Sequence, residues 1–305
     1  MNTIITTTIN PPTEAIIKYD NMLDWNLIVV GDERTPEDYK LEHGTFLSID
    51  YCKENYPDLH KIIGTNNIDL GRMIGFIEAY KNGADIIATI DDDNIPLENW
   101  GKNIAVGQEV DAFEYFSVEK VFDPLGVTEH ANLWHRGFPL ELIDRRNYLR
   151  GNYVKVNPLV QANLWNGAPD IDAICRKMYP YDVNFGISHY FYGKRMICPF
   201  DTQNTIVHRS ILKYYTTLPH IGRMDDIWGA YLLQSKIKDC VVFGPATVYQ
   251  DRNIHDLNKD IDEEILGYKY SMEFIEACLD SYESALEYLP TRTRECYLAY
   301  QEYFN

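Results

Sequence analysis

ADIIATIDDDNIP, residues 84–96, decides how the chain is read. Asp85 to Ile90 is expected to be a strand, because IIATI is the near-continuous apolar run of a strand covered on both faces. Asp91, Asp92 and Asp93 follow directly, and Asn94 and Pro96 then turn the chain. Just upstream, DLGRMIGFIEAYKNG (residues 69–83) puts Met73, Ile74, Ile77 and Tyr80 on one helical face, with Asp69 as expected N-cap and Gly83 as stop. A helix of about four turns feeding a buried strand is a crossover unit, and it delivers the acidic triplet to the carboxyl edge of a parallel sheet.

Further out, short apolar runs alternate with amphipathic segments, with strands expected at Thr3 to Ile9, Trp25 to Val30 and Thr45 to Ile49. From Leu97 to about Lys155 the pattern loosens, as in an insertion on the same domain. DDIWGAYLLQSKI (225–237) reads as a helix and CVVFG (240–244) as a strand, and the charged helical spacing beyond Asn258 reads as an appendage. The expected fold is α/β, a mainly parallel, Rossmann-like sheet flanked by helices. Residues 1–258 would form the catalytic domain, with 259–305 a helical extension packed on it.

The 305 residues carry a net charge of −18, which excludes a phosphate-backbone binder and so nucleic acid as partner. No stretch reaches the roughly 18 apolar residues of a membrane span. Met1 to Asn10 lacks a basic start and reads as a strand, not a signal peptide. Six cysteines stand apart without a CxxC pair, so reduced thiols and a cytoplasmic location are expected.

Three adjacent carboxylates repel one another unless a cation sits among them, and hard oxygen ligands with open positions suit Mg²⁺ or Mn²⁺ shared with a diphosphate. A solvated acidic turn is the competing reading. Arg72, at the start of the long helix, lies near enough to the same edge to reach a diphosphate, or else pairs with a nearby acid such as Glu42 or Asp69.

The triplet after a buried strand resembles the DxD motif of GT-A-fold glycosyltransferases. The segments NNIDLGRMIGFIEAYKNGADIIATIDDDN, RGFPLE, NGAPDIDAICR and IGRMDDIWGAY resemble, in the same order and over roughly residues 1–255, the plant reversibly glycosylated polypeptides, which include UDP-arabinopyranose mutases, and the STELLO-type glycosyltransferases. The resemblance implies a GT-A fold and a metal held by Asp91, Asp93 and a late His255. It also implies donor contacts from Asp32 and Arg34 in VVGDERTP, from Arg72 and from Asp92. In IGRMDDIWGAY, Asp226, or secondly Asp225, is implied as general base, although N-capping explains both equally simply. Arg136 in RGFP is implied as a glycosyl carrier or donor contact, and Trp165, Asp170 and Asp172 as an acceptor pocket. The polypeptides carry a second Arg seven positions after the first. Here Ile143 takes that place, and the basic residues move to Arg145 and Arg146.

The resulting expectation is an Mn²⁺- or Mg²⁺-dependent transferase that moves a sugar from a nucleoside-diphosphate donor, UDP-linked, to a hydroxyl on a glycan or small molecule. A UDP-sugar pyranose/furanose mutase or self-glycosylating protein is the first alternative. A non-catalytic nucleotide-sugar-binding protein is the second.

Overall fold

The computed structural model describes residues 1–64, 67–251 and 256–305. The N-terminal part runs β1 (Asn2–Thr8), α1 (Glu14–Asp20), β2 (Asn26–Gly31), β3 (Thr45–Leu47), α2 (Ile49–Asn55), α3 (Pro57–Ile63), α4 (Ile68–Lys81) and β4 (Ile86–Ile90). Next come β5 (Asn94–Pro96), the paired β6 (Val110–Phe116) and β7 (Leu149–Val156), β8 (Val160–Gly167), α5 (Ala173–Met178), β9 (Tyr190–Gly193), β10 (Asn204–His208), α6 (Asp225–Lys236) and β11 (Val241–Gln250). Three helices close the chain: α7 (Leu257–Asp280), α8 (Tyr282–Tyr288) and α9 (Thr291–Gln301).

The strands form one sheet in the order β3-β2-β1-β4-β10-β8-β11-β9-β6-β7, with β5 added beside β11. From β3 to β11, six of the seven strands run the same way, and β10 opposes both of its neighbours. This is the mainly parallel α/β sheet that the sequence predicts. The reversed strand matters for function, because it brings the beginning of β10, rather than its end, to the edge where β1, β2, β4, β8 and β11 terminate.

Local chemistry sets the element boundaries. The expected strand to Ile49 stops at Leu47, since Ser48 instead caps α2 by accepting from Tyr51 N at 3.2 Å. The N-cap of α4 is Asn67, whose side chain accepts from Asp69 N at 2.8 Å, so Asp69 falls in the first turn. Gly83 ends the helix with φ 74°, a left-handed conformation that L side chains rarely adopt. Gly71 and Gly75, one turn apart, let α4 lie close on β1. A Cβ at Gly71 would come within 2.7 Å of Thr7 Cγ2. The β6–β7 pair lay hidden in the loosened region because β7 is largely exposed and lacks alternation.

The C-terminal helices share the main core. Trp228 of α6 stacks on Phe274 of α7 with centroids 4.3 Å apart and planes at 18°. Thr293 Oγ1 of α9 donates to Pro219 O at 2.8 Å, and Tyr300 Oη to Leu212 O at 2.8 Å. All six cysteines are free thiols and buried. No helix among the described residues is long and apolar enough to cross a membrane.

Truncating Phe274, fully buried in that stack, is expected to cost about 3–5 kcal/mol. Urea unfolding of Phe274→Ala should show one cooperative transition at lower midpoint. A separate early transition of the C-terminal helices would contradict a shared core.

Candidate active site

The carboxyl edge of the sheet gathers most of the chemistry. Asp91–Asp93 leave β4, Asp32 and Arg34 follow β2, Asp170 follows β8, and Gln250 ends β11. Gln203 precedes the reversed β10. The first turns of α4 and α6 add Asp69, Asp225 and Asp226, and Arg72 opens the second turn of α4. The resulting cleft is continuous. A central part is lined by Asp91, Asp92, Asp93, Arg136, Asp170, Arg223 and Asp226, among others. On one side it opens into a cavity of about 600 Å³ containing Asp32 and Arg34. On the other it opens into one of about 510 Å³ containing Asp69, His220, Arg223 and Asp225.

At the triplet, each carboxylate has a different neighbour. Asp91 pairs with Arg72, which is 3% exposed and also donates to Ile90 O at 2.8 Å and to Thr89 Oγ1. Arg72 therefore faces inward and ties α4 to the end of β4, and the expected surface pairing with Glu42 or Asp69 is not what the structure shows. Burial pushes the Asp91 carboxyl up, with Arg72 opposing. Asp92 accepts from Thr8 Oγ1 and from Asn10 Nδ2 at 3.0 Å, and its carbonyl accepts from Thr13 Oγ1, so it staples the turn to the end of β1. Asp93 accepts from Gln250 Nε2 at 3.3 Å. His255, the expected late metal ligand, lies outside the described residues.

Five carboxylates of the central cleft face only two guanidiniums, and Arg72 behind them leaves the balance acidic. This excess and the hardness of the oxygen donors fit a divalent cation at Asp91 and Asp93. In the larger cavity, Arg34 folds back on Asp32, with Nε to Oδ2 at 3.0 Å and the backbone N to Oδ1 at 2.8 Å. Asp32 is well buried and Arg34 half-exposed.

Arg136 is enclosed by acids. Its Nε lies 3.0 Å from both oxygens of Asp170, and its Nη1 and Nη2 lie 2.9 and 3.0 Å from the oxygens of Asp226. Burial works against its charge, and Asp170 and Asp226 overcome it, so the group stays protonated. Gly137 makes the approach feasible. It has φ 78°, and a Cβ there would meet Ile227 Cγ2 of α6 at 2.2 Å. Its carbonyl accepts from Tyr231 Oη one turn further on, at 3.0 Å. Asp226 also accepts from Thr202 N at 3.2 Å. Both of its oxygens are thus committed, which removes the basis for Asp226 as first-choice base.

Asp225 stands differently. It is less buried than Asp226, and its carboxyl lies beside that of Asp69. Burial first and the neighbouring acid second push the Asp225 carboxyl well up, and burial raises Asp69 as well.

Two expected acceptor contacts are corrected. Trp165 is 2% exposed and packs edge-on to His135, with centroids 5.6 Å apart, so its face is not offered to a sugar. Asp172 caps α5, accepting from Cys175 N at 2.8 Å and from Trp134 Nε1. Asp170 does reach the cleft, paired to Arg136. Arg145 is exposed beside Glu119 at 3.6 Å, whereas the partly buried Arg146 pairs with the buried Asp123 at 2.7 Å. Arg223, Gln203 and Gln250 line the cleft without having been singled out in the sequence. Arg223, held by Glu264 at 3.0 Å, was legible as a lone cation two residues before an acidic pair. The amides carry no comparable signal.

Removing Arg136 takes the guanidinium away from two buried carboxylates, so Arg136→Leu is expected to lose about 3–5 kcal/mol in urea unfolding. An unchanged midpoint would contradict the pairing. Burial raises the Asp172 carboxyl to about 7, and a carboxyl raised on folding is most favourable while protonated. Wild type should therefore lose stability relative to Asp172→Asn as pH rises from about 4 to about 7. Parallel pH profiles would refute this.

No family model matches the chain. It is 26% identical over 228 residues to the probable glycosyltransferase STELLO2 of Arabidopsis thaliana, covering 68% of this chain and 29% of that protein. It is 24% identical over 220 residues to the probable glycosyltransferase STELLO1 of the same plant, covering 65% and 28%. The chain therefore spans less than a third of the length of these curated relatives. Among solved structures it is similar to glucosyl-3-phosphoglycerate synthase from Mycobacterium tuberculosis, in complex with phosphoglyceric acid, at a TM-score of 0.44 and 11% identity, over 92% of this chain and 79% of that one. The sequence matches bear out the resemblance to STELLO-type glycosyltransferases.

Proposed function

We propose that the chain is a glycosyltransferase that takes a sugar from a nucleoside diphosphate, with UDP the expected nucleotide, and passes it to a hydroxyl acceptor with the help of Mn²⁺ or Mg²⁺. The observation that carries this reading is the continuous cleft at the carboxyl edge, with the Asp91–Asp93 turn between two cavities of ligand size. Asp32 and Arg34 line the cavity that would take the nucleoside, and Asp92 is the member of the triplet that also lines it. Asp91 and Asp93 would hold the cation, which supplies charge neutralisation to a departing diphosphate.

On the other side, Asp225 is the better base. A carboxylate serves when one oxygen can turn to an incoming hydroxyl, and Asp226 has given both of its oxygens to Arg136 and Thr202 N. Burial first, and the like charge of Asp69 second, raise the proton affinity of Asp225. Arg136 then acts as a positioning residue for Asp226 and the start of α6. Its saturation by two carboxylates also disfavours it as a glycosyl carrier, and so disfavours the self-glycosylating and mutase alternatives.

The test is turnover of UDP-sugars with Mn²⁺, with and without hydroxyl acceptors, in wild type, Asp225→Asn and Asp69→Asn. Asp225→Asn should lose about 100-fold or more in kcat. The base must be unprotonated, so activity should fall as pH drops through its raised pKa, and Asp69→Asn should move that limb to lower pH. Ring-isomerised donor formed without acceptor would replace this reading with the mutase. Binding without turnover across the acceptor panel would replace it with the non-catalytic protein.

A further inference from the structure

Behind Arg136 lies a second group of polar side chains that the proposed transfer does not use. His135, Asp170 and Asp201 each offer a ligand atom, and these atoms lie within 4.8 Å of one another. The residues are 1%, 2% and 5% exposed. His135 Nδ1 lies 2.8 Å from Arg136 O, and since a carbonyl only accepts, Nδ1 carries the proton. In a neutral ring the lone pair is then on Nε2, which points at Asp201 Oδ2 from 3.7 Å. Asp201 Oδ1 accepts from Gln203 N at 3.0 Å, but Oδ2 is buried without a hydrogen-bond partner among the described residues. Two acceptors thus face each other, too far apart for a hydrogen bond.

Charge points the same way. Asp170, Asp201 and Asp226 are all buried around Arg136, with Arg223 near Asp170, so the carboxylates still outnumber the guanidiniums. Buried carboxylates in such excess need added positive charge, either protons or a cation.

We propose that His135, Asp170 and Asp201 form a buried site for a divalent transition-metal ion. An ion about 2.1 Å from both His135 Nε2 and Asp201 Oδ2 would subtend roughly 120° at their separation, a workable angle for Zn²⁺ or Mn²⁺. Asp170 completes the set with one carboxylate oxygen, which lies within 4.8 Å of the other two ligand atoms. The backbone carbonyl on Nδ1 is the outer contact that fixes the tautomer of a ligating imidazole. Such an ion would fix the orientation of Asp170 and, through it, Arg136. The site is separate from the donor-side cation and stands whether or not the chain transfers sugar.

The test strips the full chain with chelator, refills it separately with Zn²⁺ and Co²⁺, desalts it and counts bound metal. Wild type is compared with His135→Leu, Asp201→Asn and the Asp91→Asn/Asp93→Asn double variant, and wild-type crystals grown with Zn²⁺ are mapped by anomalous scattering. Wild type and the double variant should retain about one equivalent or more, falling at least about fivefold in the His135 and Asp201 variants. The anomalous peak should lie between His135 Nε2 and Asp201 Oδ2. Wild type without tightly held metal would overturn the site, leaving shared protons to balance the acids. Metal lost only in the Asp91/Asp93 variant, or a peak elsewhere, would overturn it equally. The map decides the matter even if the single variants fail to fold.

Discussion

The bridge Asp170–Arg136–Asp226 is the contact on which the cleft depends. It joins the loop after β8, the segment before Phe138 and the first turn of α6, three regions far apart in sequence. Neither carboxylate is stable in that position alone, since a buried charge must be paired. Once formed, the bridge fixes where α6 begins. That placement sets Asp225 beside Asp69 on α4 and brings Asp226 to Thr202 N.

The sheet supplies the rest of the placement. Parallel strands end at one edge, and the reversed β10 adds its starting residues to the same place. Arg72 roots α4 in the end of β4 through Ile90 O and Asp91, while Asp92 binds the turn back to β1. Repulsion within the triplet is thus partly relieved by the scaffold, and an acidic excess remains. The C-terminal helices back this arrangement from behind, with Phe274 on Trp228 and Thr293 on Pro219 O.

Periodicity made the framework legible. IIATI became β4, and Met73, Ile74 and Ile77 became buried faces of α4, because both segments follow a single repeat over enough residues. What a short motif cannot show is the direction or company of a side chain. Asp225 and Asp226 are adjacent and chemically identical in sequence, yet one is locked by Arg136 and the other faces Asp69. Trp165 and Asp172 sit next to real cleft residues but point into the core and onto a helix N-terminus, which the alternation of a strand and a three-residue cap spacing decide only after folding. His135 and Asp201, 66 residues apart, meet only through the topology, and nothing local marks either.

The central claim is that the acidic carboxyl edge holds a cation together with a nucleoside diphosphate. Calorimetric titration of UDP and GDP, each with and without Mn²⁺, into wild type and the folded Asp91→Asn/Asp93→Asn variant tests it most directly. The account predicts UDP binding that needs Mn²⁺ and disappears in the variant. Absence of binding by either nucleotide to folded wild type, or binding indifferent to both metal and substitution, would contradict it.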